Sequence, residues 1–72
     1  MIIGVYMILK FSKHAKKMMV GRGVTKEQVI RALKMGSKIR QTDGYLSSYA
    51  YIEVAYKKKG DIYKIKTIKI KD

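Results

Sequence analysis

The hydrophobic period changes twice along these 72 residues, dividing the chain into a strand, two helices and a closing set of strands. Val5 to Phe11 carries β-branched and large apolar residues without helical spacing, which predicts a strand. Ser12 follows as an N-cap, with a hydroxyl that can accept from a free amide of the first turn. Ala15, Met18 and Met19 then stand at i, i+3 and i+4 as one apolar stripe, with Lys13, Lys16 and Lys17 around it. Gly21 and Gly23 are expected to end this first helix. A second helix is announced by the capping box of Thr25 and Gln28 and by Val29, Ala32 and Leu33 at helical spacing. Gly36 stands where a glycine stop belongs, and Arg31 and Lys34 lie off the stripe.

From Ser37 the period becomes that of strands. Lys38 to Thr42 reads as a strand with a single apolar residue, Ile39, and Asp43-Gly44 as a two-residue hairpin turn. Tyr45 to Lys57 alternates as one strand, with Leu46, Ala50, Ile52, Val54 and Tyr56 on the apolar face and Tyr49, Tyr51, Glu53 and Ala55 opposite. Lys58-Lys59-Gly60-Asp61 forms a polar turn before a last strand, Ile62 to Ile70. Ile65 and Ile68 are three apart, so either a bulge intervenes or both faces of that strand are covered. The fold class expected is α+β, a single domain over residues 1–72: strand, two helices, then three antiparallel strands. Both helices would pack on one sheet face, leaving the other open, basic and tyrosine-bearing.

Charge narrows the function classes. Seventeen basic residues against five acidic give a net charge of +12, a field that attracts polyanions. A lysine-rich surface serving only solubility usually balances Lys with Glu, and here only Glu27 and Glu53 are present. Without cysteine, disulfides and thiolate zinc sites are excluded. One histidine and five scattered acidic residues offer little for a metal cage, so no metal and no cofactor are expected. Met1 to Leu9 is too short to span a bilayer and lacks the pattern of a secretory signal. Met7 offers a second start. A cytoplasmic protein with no membrane partner is the expectation.

Three motifs carry a resemblance. Ser12-x-His14-Ala15, Met19-x-x-Arg22-Gly23-Val24-Thr25 and Val29-x-x-Ala32-Leu33-x-x-Gly36, with Ile65-x-Thr67 in the last strand, resemble a small uncharacterised domain family grouped with RelE-like toxins. The likeness runs from about Leu9 to Ile70. It departs from the family pattern at Met18, where a basic residue is usual, and at Gly21, where an acidic one is usual. That family resembles the barnase–EndoU–colicin–RelE fold group, in which two helices precede an antiparallel sheet and members are metal-independent ribonucleases, often paired with small antitoxins. The resemblance thus implies a RelE-like domain acting on RNA, including ribosome-bound mRNA, with an acidic antitoxin as a partner.

Metal-free RNA cleavage proceeds by attack of the ribose 2′-OH on the adjacent phosphate. It needs a base, an acid and positive charge around the phosphorane. His14 suits acid or base work because imidazole titrates near neutrality, and Arg22 presents a planar fork to phosphate oxygens. The resemblance implies that Thr67 donates a hydrogen bond to phosphate, completing a candidate catalytic set of His14, Arg22 and Thr67. Tyr49, Tyr51 or Tyr63 can stack splayed bases, and Lys13, Lys17 and the run Lys57-Lys58-Lys59 can follow a phosphate backbone. Each has a plainer competitor: an exposed histidine, an arginine on a helix-end carbonyl, strand-forming tyrosines and threonine, a solvated turn. Two further functions stay open, a non-catalytic RNA-binding module and an interaction protein for an acidic partner.

Overall fold

The computed structural model describes residues 7–71, which form two helices on one face of a five-stranded mixed sheet. In chain order these are β1 (Ile8–Phe11), α1 (Lys13–Arg22), α2 (Lys26–Met35), β2 (Ser37–Gln41), β3 (Gly44–Tyr49), β4 (Ile52–Lys59) and β5 (Ile62–Ile70). The sheet order is β1-β5-β4-β3-β2. Val5 and Tyr6, read as part of the first strand, and Met1, one of the two candidate starts, lie outside the described residues. Among the described residues no helix is long and apolar enough to cross a membrane.

Both helices start as their caps dictate. The Ser12 hydroxyl accepts from the Ala15 amide at 3.0 Å and donates to the Lys66 carbonyl at 2.8 Å, tying the start of α1 to β5. At α2 the box is reciprocal: Thr25 Oγ1 accepts from the Gln28 amide at 3.1 Å, and Gln28 Oε1 accepts from the Thr25 amide at 2.8 Å. Such caps are worth about 1 kcal/mol each. Gly23 ends α1 in the left-handed region at φ 68°, while Gly21 lies inside the helix.

Gly36 caps α2 for a different reason from the one its position suggests. Its backbone is extended, at φ −76° and ψ 163°, which any residue adopts. Space demands the glycine. A Cβ there would stand 2.6 Å from the Ser48 carbonyl oxygen and 2.8 Å from Ser47 Oγ, and closer still to the Ala32 carbonyl oxygen. At this point α2 and β3 press together through Ser47, whose buried hydroxyl donates to the Ala32 carbonyl at 2.5 Å.

The sheet corrects the expected strand list. Tyr45 to Lys57 is not one strand, because a turn at Ala50-Tyr51 divides it into β3 and β4, with Tyr49 opposite Ile52. A two-residue turn inverts parity, so even positions of β4 share a face with odd positions of β3. Ile52, Val54 and Tyr56 do face the helices, but Tyr45, Ser47 and Tyr49 join them, and Leu46 faces the other way. No glycine or asparagine marks this turn. Ala50 itself takes positive φ, at 54°. Four strands therefore follow the helices, not three. The preceding turn is Thr42-Asp43 rather than Asp43-Gly44, for Gly44 already pairs with Gln41 and carries a φ of 125°.

Two further features complete the sheet. β1 pairs with β5 in parallel, Phe11 beside Ile65, so the sheet is mixed rather than wholly antiparallel. In β5 the register jumps from Ala55 opposite Thr67 to Tyr56 opposite Ile65, leaving Lys66 as the extra residue of a bulge. That bulge lets Ile65 and Ile68 face the helices although they are three apart. They close the core with Val54 and Ile52 against Ala15, Val29, Ala32 and Leu33.

Candidate nucleic-acid interface

The helices leave one end of their own sheet face uncovered, and the register shows what lies there. α2 sits over the rung that joins Lys38, Ser47, Val54 and Ile68 across four strands. The next rung joins Arg40, Tyr45, Tyr56 and Ile65, and the one after it Lys58 and Tyr63. Lys38, Arg40, Tyr45, Tyr56, Lys58 and Tyr63 line a single cleft of about 340 Å³, within the usual volume of a small-ligand site. None of these lining residues is acidic.

The tyrosines form a row across β3, β4 and β5, with Tyr45 and Tyr63 half-buried on either side of Tyr56, which is buried in the core. Tyr45 stacks on Tyr56 with ring centroids 5.6 Å apart and planes 26° apart, and Tyr63 follows at 5.7 Å from Tyr56. The Lys58 ammonium stands 5.5 Å from the Tyr63 ring centroid, in cation–π range. Burial first, then the neighbouring Tyr63 and Tyr45, push the Tyr56 phenol above its ordinary value of 10.0. Its hydroxyl accordingly stays a neutral donor at physiological pH. Lys38 Nζ donates to the Gly36 carbonyl at 3.3 Å, anchoring a cation at the end of α2 beside the cleft.

The expected site residues are dispersed. His14 and Arg22 are exposed near opposite ends of α1, eight residues apart and thus about 12 Å along the axis. Among the described residues neither side chain makes a hydrogen bond or ion pair. Thr67 pairs with Ala55 in the row that includes Leu46, on the sheet face away from the helices, so the sheet stands between Thr67 and α1. Lys13 and Lys17 are exposed on α1. Tyr49 and Tyr51 stand at the β3–β4 turn, at the far end of the sheet from the cleft, and the Tyr51 hydroxyl accepts from Gln28 Nε2 at 3.1 Å.

The run Lys57-Lys58-Lys59 splits between faces, as a strand requires. Lys58 enters the cleft. Lys57 and Lys59 take the open face, where Lys57 pairs with Asp43 at 2.9 Å. Lys66 reaches the same carboxylate at 3.3 Å, and hydrogen bonds from Lys57 and then Lys66 hold Asp43 below the usual carboxylate range. The open face is basic, as expected, but the strand tyrosines Tyr45, Tyr49, Tyr56 and Tyr63 all belong to the helix-bearing face.

Lys38, Arg40, Tyr45 and Tyr56 were not among the expected site residues, Tyr56 having been expected only on the apolar face. Their signal is arithmetic rather than a motif. With turns centred between 42 and 43 and between 50 and 51, Arg40 falls opposite Tyr45, and Tyr45 opposite Tyr56. No protein-family model, no curated protein and no solved structure matches the chain.

Proposed function

We propose that this protein binds single-stranded RNA in the tyrosine cleft. The observation that carries the reading is the row Tyr45-Tyr56-Tyr63, its half-buried outer rings Tyr45 and Tyr63 open to a ligand, with Lys38, Arg40 and Lys58 beside it and no carboxylate in the lining. Bases splayed from a single strand stack on aromatic rings for about 1–3 kcal/mol each, and lysine and arginine take the phosphates. The net charge of +12 supplies the long-range attraction. Fluorescence anisotropy with an oligoribonucleotide of about 10 nucleotides tests it, a length within common site sizes. Combined Lys58→Gln and Tyr63→Ala should weaken binding at least 10-fold, and equal affinity of variant and wild type would refute it.

A second reading adds chemistry at the same cleft: metal-independent cleavage by 2′-OH attack, in a RelE-like domain with an acidic antitoxin. Its support is the motif spacing around His14, Arg22 and Gly23, together with cations and a neutral phenol gathered in one cleft. Arg40 and Lys58 would stabilise the phosphorane and Tyr56 would donate a proton. The base would be His14, which is outside the cleft lining but two residues past Ser12, whose amide donates to the carbonyl of Ile65 opposite Tyr56. Primer extension on an mRNA in a translating extract tests this reading, because such an extract also detects a nuclease acting on ribosome-bound message. New 5′ ends that disappear with His14→Ala support it. Binding without cleavage leaves the RNA-binding module.

A further inference from the structure

The sheet face turned away from the helices carries a second feature that the tyrosine cleft does not use. Lys10 of β1, Lys64 of β5 and Lys57 of β4 stand directly opposite one another in one rung. Adjacent strands are about 4.8 Å apart, so three ammonium-bearing stems share a strip about 10 Å wide. Like charges placed opposite one another destabilise a sheet. Only Lys57 is relieved, by Asp43 at 2.9 Å. Among the described residues, neither Lys10 nor Lys64 has a carboxylate in ion-pair reach. A hollow of about 310 Å³ adjoins the rung, lined by Lys10, Lys64 and Lys66 together with Phe11, Ser12 and Ile65. Lys59 and Lys69 extend the positive strip along the same face, where Glu53 stands directly opposite Lys69.

The geometry points to this open face as a docking surface for the phosphate backbone of double-stranded RNA, distinct from the cleft that takes unpaired bases. Charge complementarity selects a polyanion, and the absence of a tyrosine row selects the type. The face presents Lys10, Lys57 and Lys64 but none of Tyr45, Tyr49, Tyr56 or Tyr63. A surface with cations and no stacking platform suits a nucleic acid whose bases are already paired and stacked inward. A duplex of A-form RNA is recognised in that way, by shape and backbone. The chain would then hold an RNA at a junction, its single-stranded part in the cleft and its helical part against the open face. This extends the RNA reading above to a second surface, and its test keeps the two apart.

The test compares two probes and two variants by anisotropy over a salt series. The probes are a blunt RNA duplex of about 16 base pairs, the span of a typical duplex-binding domain, and the short single strand used above. The variants are Lys10→Gln with Lys64→Gln on the open face, and Lys58→Gln with Tyr63→Ala in the cleft. Circular dichroism establishes that both remain folded. The open-face variant should bind the duplex at least 10-fold more weakly and lower the salt slope by about two, one phosphate contact for each lysine. It should bind the single strand within about 2-fold of wild type, while the cleft variant shows the converse. Duplex affinity unchanged by the open-face substitutions, with single-strand binding intact, overturns this proposal and leaves the cleft reading standing. Equal loss on both probes with either variant, or equal affinity for heparin and duplex, also overturns it, since the face would then be a general polyanion surface. Failure of the wild type to bind either RNA overturns both.

Discussion

Gly36→Ala is the substitution whose sign depends on why that glycine is there. At φ −76° and ψ 163° an alanine meets no backbone obstacle. Backbone conformation alone would make the change stabilising, by about 0.4–1 kcal/mol, through a less disordered unfolded chain. Contact reverses the sign. The added Cβ would stand 2.6 Å from the Ser48 carbonyl oxygen and 2.8 Å from Ser47 Oγ, and it would also press on the Ala32 carbonyl. Two of these are backbone atoms, so α2 must move away from β3, stretching the buried Ser47–Ala32 hydrogen bond. Overpacking of this kind costs about 1–3 kcal/mol and a weakened buried hydrogen bond about 1 more, for a net loss of about 2 kcal/mol. In urea unfolding followed by circular dichroism, a slope of roughly 1 kcal/mol per molar converts this to a midpoint lower by about 2 M. Gly21→Ala is the control, because nothing lies within 4 Å of its Cβ position. It sits inside α1 and should gain about 0.5–1 kcal/mol. A Gly36→Ala midpoint at or above that of wild type would refute the packing argument.

Two further outcomes follow from the turns. Ala50 carries a φ of 54° in a two-residue hairpin, so Ala50→Gly should relieve more backbone strain than it adds in unfolded-state entropy. A gain of about 0.5 kcal/mol, or about 2–4 °C in Tm, is expected by calorimetry, and a loss would show that Ala50 makes contacts a glycine cannot replace. Asp43 joins the β2–β3 turn to Lys57 and Lys66, and its carboxyl is held below the ordinary range. The stability this contributes is fully present above the unfolded carboxylate value of about 3.9 and disappears as pH falls through the lower folded value. Wild type should therefore lose more Tm than Asp43→Asn between about pH 5 and pH 2, and parallel profiles would contradict the linkage.

The helices were legible because their signals are local. Ser12, Thr25 with Gln28, and the stripes of Ala15 and of Val29, Ala32 and Leu33 all act within a turn or two of themselves. The sheet was harder, because its decisive turn has no glycine. Ala50 takes positive φ without the residue that would announce it, so an apparent single alternating run concealed a hairpin and reversed the face of every β3 side chain. Tyr45 and Tyr49 could not be placed until that turn was known. The cleft was hidden for the same reason. It draws on four strands, and only the register Arg40–Tyr45–Tyr56 brings its members together. Gly36 shows a related limit, since its role comes from the approach of β3, far along the chain from α2, and not from a helix-stop conformation.

Chemical-shift mapping of an isotopically labelled sample during titration with a short single-stranded oligoribonucleotide tests the central claim most directly. Every described cleft residue has its own amide or ring signal, so the method reads location as well as affinity. The expected result is a set of salt-sensitive shifts centred on Tyr45, Tyr56, Lys58 and Tyr63, with Lys38 and Arg40 at its margin. Shifts confined to α1 or to the Ala50-Tyr51 turn, or none at low salt, would contradict the assignment of the tyrosine cleft as the RNA site.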